Sequence, residues 1–245
     1  MKKGEVQLLD EQKRRHDGRA PNETRPISMK VGVLERADGS ALVEFGKTKV
    51  LAAVYGPREV HPRHLALPDR ALLRVSYRMA TFSTWERKRP TPSRREIELS
   101  MVIASALEPA LFLEKYPKCA IDVFCLVIEA DGGTRTTAIN AASLALADAG
   151  IPMRGLVAAI AVGRVGDTII VDLDEVEDNY AESDMPIAML FPQEEITLLQ
   201  MDGTMPPHLF EQALETARQV LRNVYSLQVK ALKERALKAR TKIVL

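Results

Sequence analysis

An α+β fold with mixed β-sheets is predicted by three features of this 245-residue chain. Strand-like segments arrive as hairpins, only some connections between them read as helices, and a long helical segment finishes the chain. Residues 1–28 are polar, with Asp17-Gly18-Arg19 and two prolines, and read as an extended or partly mobile N-terminal arm. Asp38-Gly39 opens a strand from Ala41 to Phe45, which turns at Gly46-Lys47 into a second from Val50 to Tyr55. Leu72–Met79 alternates, with Leu73, Val75 and Tyr77 on one face and Arg74, Ser76 and Arg78 on the other. Ser93 followed three residues later by Glu96 is a capping box, so a helix begins at Arg94. Ile97, Met101, Ala104, Leu107 and Leu111 give that helix an apolar face, and it ends near Pro109. Ile121–Glu129 is apolar and β-rich, as a central strand should be. Thr136–Ala149 is an Ala-rich helix followed by Gly150; with Asp148 as its single charge, it should be buried on most sides. Strands at Val157–Val162, Thr168–Leu173, Ile187–Phe191 and Ile196–Met201 follow, then a helix over 207–240. No repeat, low-complexity tract or linker interrupts the sequence, so residues 1–245 are expected to form one compact domain.

Composition bounds the function. Hydrophobic residues make up 46% of the chain and charged ones 27%, enough to build a core. No run of eighteen apolar residues exists, and polar sequence follows Met1-Lys2-Lys3-Gly4-Glu5, so neither a membrane span nor a signal peptide is expected. Cys119 and Cys125, if they share one strand, lie about 20 Å apart, too far for a disulfide. A reduced, cytoplasmic protein without a Cys or His metal site is the expectation. The net charge of +1 hides an asymmetry: residues 58–95 hold ten Lys or Arg against three acids. An excess that one-sided points to a polyanion partner, here nucleic acid. His61, His64, Phe82 and Trp85 lie among these charges; such rings can stack on bases, but Phe82 and Trp85 are expected in the core.

Three segments carry chemistry. Arg94 and Arg95 fall in the first turn of a helix, where the dipole favours acids, so an anion such as phosphate would compensate them. Solvated arginines, or a salt bridge to Glu98, are the alternative. Glu129-Ala130-Asp131-Gly132-Gly133-Thr134-Arg135 runs from a strand through two glycines into the Ala-rich helix. It either aims backbone N–H groups at an anion, aided by Thr134 and Arg135, or is an ordinary turn. It is neither a Walker loop nor a dinucleotide fingerprint. The run Asp172–Asp184 holds seven carboxylates in thirteen residues. Most should sit on a solvated loop, yet one or two carboxylates suffice to hold Mg²⁺ or Mn²⁺ beside a phosphate. Arginines, an anion loop and paired carboxylates are the parts of metal-assisted phosphoryl transfer.

The segments Ala37–Gly46, Ala130–Arg135, Leu144–Ala149 and Glu177-Asp178-(five residues)-Asp184-Met185 resemble the RNase PH family. Within it, His61–His64, Leu67–Arg70 and Pro92–Glu96 are similar to the catalytic ring subunits of archaeal exosomes. The resemblance spans roughly residues 15–230. It implies a single RNase PH-like domain of the ribosomal protein S5 domain 2-like kind, and a phosphorolytic 3′-to-5′ exoribonuclease of single-stranded RNA that also tails RNA in reverse. It implies a hexameric ring with an inactive paralogue (a trimer of heterodimers), and S1- or KH-domain cap subunits on one face. By the same resemblance, Arg94 and Arg95 grip phosphates near the RNA 3′ end, and Arg63 and Arg70 contact RNA on its way in. Gly133, Thr134 and Arg135 hold inorganic phosphate, the co-substrate; Asp178 and Asp184 bind Mg²⁺ or Mn²⁺ and supply the general acid. A homohexameric RNase PH trimming tRNA 3′ ends is one alternative, against which the Arg94-Arg95 pair and the His61–His64 segment argue. A silent channel-lining subunit is another, and it should lack one of the three chemical motifs that this chain keeps.

Overall fold

The computed structural model describes residues 8–243. Strands β1 (Ile27–Val31), β2 (Gly39–Phe45), β3 (Thr48–Glu59), β4 (Leu72–Met79) and β5 (Cys119–Glu129) form one sheet in the order β1-β2-β3-β5-β4. β4 runs parallel to β5 and the other pairs are antiparallel, so the sheet is mixed as the sequence predicts. The parallel pair requires a crossover, which helix α1 (Arg94–Leu107) supplies. The second sheet is antiparallel and follows helix α2 (Thr134–Asp148). It contains β6 (Leu156–Val165), β7 (Thr168–Val171), β8 (Ser183–Phe191), β9 (Glu195–Leu199) and the short β10 (Asp202–Gly203). A six-residue helix, α3 (Glu175–Tyr180), precedes β8, and α4 (Pro207–Ile243) closes the chain.

Helix α2 is the keystone. It packs on β2, β3 and β5 of the first sheet and on β6 of the second, and it is buried from Thr136 to Leu146. Small side chains let a helix approach two sheets closely, and the few polar ones pin the register. Asn140 Nδ2 donates to Ala159 C=O at 2.7 Å while its Oδ1 accepts from Ala159 N–H at 3.0 Å. Ser143 Oγ accepts from Val157 N–H at 2.9 Å. One continuous apolar cluster therefore joins both sheets, from Val43 and Val123 through Ile139 and Leu144 to Ile160 and Ile187.

Four expectations need correction. The buried face of α1 consists of Leu99, Ile103, Ala106 and Leu107, whereas Ile97 and Met101 are 53% and 68% exposed. The helix carries two apolar stripes, and the deciding contact is Glu96, whose carboxylate accepts from Ser93 N–H (2.7 Å) and Met79 N–H (2.8 Å). That contact turns the Leu99 stripe toward β4. The N-terminal arm, where it is described, is docked rather than mobile, because Arg15, Arg19 and Arg25 are buried against carboxylates; residues 1–7 lie outside the described residues. The acidic run is not mostly a solvated loop. Asp172, Asp174 and Glu177 are buried opposite those arginines, and Asp174 with Glu177 forms a capping box that starts α3. Finally, Phe82 and Trp85 are outside the core, 74% and 97% exposed. Cys119 and Cys125 are both free and both on β5. Among the described residues, no helix is long and apolar enough to cross a membrane.

Candidate active site

Two adjoining cavities, of about 660 and 710 Å³, open where the two sheets meet. Arg95, Arg135, Asp178 and Asp184 line both, together with Asn179 and Pro186, so these six residues are shared between them. The N-termini of α1 and α2 supply the arginines, and α3 and β8 supply the aspartates. Each helix end adds unpaired N–H groups and positive dipole to the arginine it carries.

The glycine loop is held rigidly. Gly133, at φ +62°, is the N-cap of α2, and its C=O accepts from Thr136 Oγ1 at 2.9 Å and Thr137 N–H at 3.1 Å. Thr48 Oγ1 donates to Gly132 C=O at 2.8 Å and accepts from Asp131 N–H at 2.9 Å. Arg25 donates to Asp131 C=O while its Nε and Nη2 grip both oxygens of Asp172, at 2.9 and 2.6 Å. Thr134 Oγ1 accepts from the OH of buried Tyr77 at 3.0 Å, and burial pushes the Tyr77 phenol up to about 12, so it stays a donor. Arg135 Nη1 donates to Gln200 Oε1 at 2.6 Å, which leaves its buried Nε without a protein partner.

The carboxylates differ in environment. Burial pushes the Asp184 carboxyl up to about 7, the nearby Asp178 charge adds to this, Arg135 opposes it, and Asp202 adds again. Its Oδ1 is buried without a partner. Asp178, nearer the solvent, is also raised, chiefly by desolvation, with Arg95 and Arg135 opposing and Asp202 and Asp174 reinforcing. Asp202 faces Asp184 across the β10–β8 ladder.

Of the residues singled out in the sequence, Gly133, Thr134, Arg135, Arg95, Asp178 and Asp184 line the 660 Å³ cavity. Arg94 is exposed and lines neither cavity. Arg63 pairs with Glu59 at 3.0 Å, and Arg70 lies 3.8 Å from both Asp69 and Glu108; neither reaches the site within this chain. Tyr77, Gln200 and Asp202 were missed by the sequence reading. Tyr77 was assigned to a strand face without a role, and no local pattern marks the other two, which only strand pairing brings to the cavity.

Two helix N-termini that each carry an arginine, beside two carboxyls of raised pKa, form an arrangement suited to phosphoryl-transfer chemistry. The "3′ exoribonuclease family, domain 1" (RNase PH) matches residues 23–152, and domain 2 of the same family matches residues 155–220. The exosome complex component Rrp41 of Thermococcus onnurineus is 57% identical over 234 residues, covering 96% of this chain and 94% of that protein. Its namesake from Pyrococcus furiosus is 57% identical over 233 residues, covering 95% and 93%. Among solved structures, rice Rrp46 superposes with a TM-score of 0.81 at 27% identity, covering 89% of this chain and 100% of that one. The Archaeoglobus fulgidus exosome with RNA bound to the active site shares the fold, at a TM-score of 0.76 and 24% identity over 87% and 92%. This chain belongs to the RNase PH family of 3′ exoribonucleases.

Proposed function

We propose that this chain is the catalytic subunit of an exosome ring, a phosphate-dependent 3′-to-5′ exoribonuclease that releases nucleoside diphosphates from single-stranded RNA. The observation that carries the reading is the shared wall of the two cavities. Arg95, Arg135, Asp178 and Asp184 line both cavities and Gly133 and Thr134 line the first, which supports one site made of the α2 N-terminus and the two carboxyls.

Inorganic phosphate binds at the N-terminus of α2, held by backbone N–H groups, the Thr134 hydroxyl and Arg135. Arg95 takes the terminal phosphodiester, and Arg94 takes an RNA phosphate behind it. A phosphate oxygen attacks the phosphorus of that diester, and the bond to the 3′ oxygen of the preceding nucleotide breaks. The nucleotide leaves as a 5′-diphosphate, and the shortened RNA keeps a 3′-OH after its oxygen takes a proton. Positive charge on both sides is needed because nucleophile and target are both anionic. Asp184 is the better proton donor of the pair, being the carboxyl raised to about 7. The unpartnered Asp184 Oδ1 and the Asp178 charge beside it suit a bound cation, so the pair would hold Mg²⁺ or Mn²⁺ as two carboxylates once Asp184 has given up its proton. Such an ion would supply charge neutralisation at the leaving oxygen. Arg63 and Arg70, exposed and away from the site, fit backbone contacts farther along the RNA. One phosphate link replaces another, so nucleoside diphosphates should drive RNA tailing in reverse.

The name of the relatives supports membership of an exosome; an inactive RNase PH-like paralogue in the ring and S1- or KH-domain caps complete the proposal. The continuous apolar cluster supports reading the chain as one folding unit. The deciding experiment incubates the chain, with and without its paralogue, with oligo(A) and Mg²⁺, plus or minus phosphate. Phosphate-dependent ADP release is expected. AMP without a phosphate requirement would overturn the role given to Gly133–Arg135, and RNA binding without product would leave a silent channel subunit.

A further inference from the structure

We infer that Trp85 is a stacking platform for a base of the single-stranded RNA entering the cavity lined by Gly133–Arg135, a role that rests on the exoribonuclease reading above. The indole is 97% exposed at the tip of a loop that is otherwise firmly fixed. Lys88 N–H donates to Thr81 C=O at 3.0 Å and closes the loop, and Ser83 N–H donates to Ala80 C=O at 3.0 Å. Ser83 is buried, and its C=O accepts from Ala130 N–H at 2.9 Å. Ala130 directly precedes Asp131-Gly132-Gly133, so the loop is tied to the anion-binding segment itself. Thr84 and Glu86, the two neighbours of Trp85, both line that cavity, and Thr84 Oγ1 donates to Glu86 C=O at 2.6 Å.

A lone exposed aromatic is ordinary, but its surroundings select a partner. Arg87, Lys88 and Arg89 follow it, all exposed and all lining the same cavity, and Glu86 is the single acid between residues 80 and 92. Phe82, 74% exposed, adds a second ring to the loop. Cations for the backbone interleaved with flat rings for the bases is the arrangement that binds single strands irrespective of sequence.

The test uses the assembled ring and the variants Trp85→Ala and Trp85→Phe. Trp85 is the one tryptophan of the chain, so the difference in emission between wild-type and Trp85→Phe rings isolates it. Oligo(A) in phosphate-free buffer should quench that emission. Trp85→Ala should raise the KM for oligo(A) about tenfold, within the usual span of base stacking, with kcat and the KM for phosphate unchanged. Trp85→Phe should recover most of the loss. An unchanged KM would overturn the inference, and so would emission indifferent to RNA, including the case where ring assembly alone shifts it to the blue. Quenching needs no turnover, so a wild-type ring that releases no ADP would sink the exoribonuclease reading while leaving the indole to be judged separately.

Discussion

Arg15 Nε donates to Glu177 Oε1 at 2.6 Å, and neither side chain reaches solvent. The pair links the N-terminal arm to α3, one residue before Asp178. Arg15 also donates to Val171 C=O and Asp172 C=O, and Glu177 accepts from Asp174 N–H at 3.1 Å. The arm is therefore part of the active-site support.

Breaking that pair from one side should be severe. Arg15→Met leaves buried Glu177 with Arg19, 3.6 Å away, as its remaining cationic partner, and the expected loss is about 3 kcal/mol by chemical denaturation. Activity should fall with stability. Adding Glu177→Gln to Arg15→Met should return part of the stability; a double variant no better than the single one would show that the arm's backbone, not its charge, holds α3.

The two loop glycines should respond unequally to alanine. A Cβ on Gly132 would meet the backbone of Asp174 and Leu173 at 2.5 Å, atoms that cannot step aside. At Gly133 the nearest atom is the end of the Arg25 side chain at 3.2 Å. Gly133→Ala should cost about 1–2 kcal/mol for its positive φ, whereas Gly132→Ala should cost more and displace the loop from α3. Melting temperatures and the KM for phosphate of both variants check this, and equal losses would count against it.

Arg135 should be specific for phosphate. Arg135→Gln is expected to raise the KM for phosphate or lower kcat, about a hundredfold together, with RNA affinity little changed. Arg135→Lys should not rescue, since an ammonium cannot both bond Gln200 and fork onto phosphate. Phosphorolysis rates across phosphate concentrations, with RNA binding measured in parallel, give the comparison.

The pH dependence follows from Asp184. In metal-free protein its carboxyl is protonated up to about pH 7 in the folded state, whereas the unfolded chain releases that proton near pH 4. The contribution is thus fully present below about pH 4 and is lost as pH rises to about 7. Asp184→Asn should match wild type in acid and exceed it above pH 7 by at most about 4 kcal/mol. Asp202→Asn removes one neighbouring charge, so it should shrink the loss and move it to lower pH. Denaturation with a chelator at pH 5 and pH 8 checks both; parallel curves for all three proteins would contradict the assignment.

Unfolding should occur in one transition despite the two sheets, because α2 belongs to the core of both. Two separated transitions by calorimetry would mean that residues 23–152 and 155–220 fold independently.

The sequence by itself determined the local structure: the Ser93–Glu96 box that starts α1, the Gly46-Lys47 hairpin, the alternation of β4, the buried Ala-rich α2. It also pointed to the segments that line the cavities, since Gly133–Arg135, Asp178 and Asp184 lie in short motifs that mark them. These signals are short-range, carried by caps, turns and period. What only the tertiary structure decided is which partner each surface meets. Ile97 and Met101 have the spacing of a core face, yet Glu96 bonding to Met79 turns them outward. Asp172, Asp174 and Glu177 read as solvated acids until arginines from some 150 residues away neutralise them. Asp202 and Gln200 reach the cavity through strand pairing alone, and Trp85, apolar enough for a core, stands in solvent because its loop is pinned at Ser83. Burial and charge compensation are long-range properties, and no local pattern encodes them.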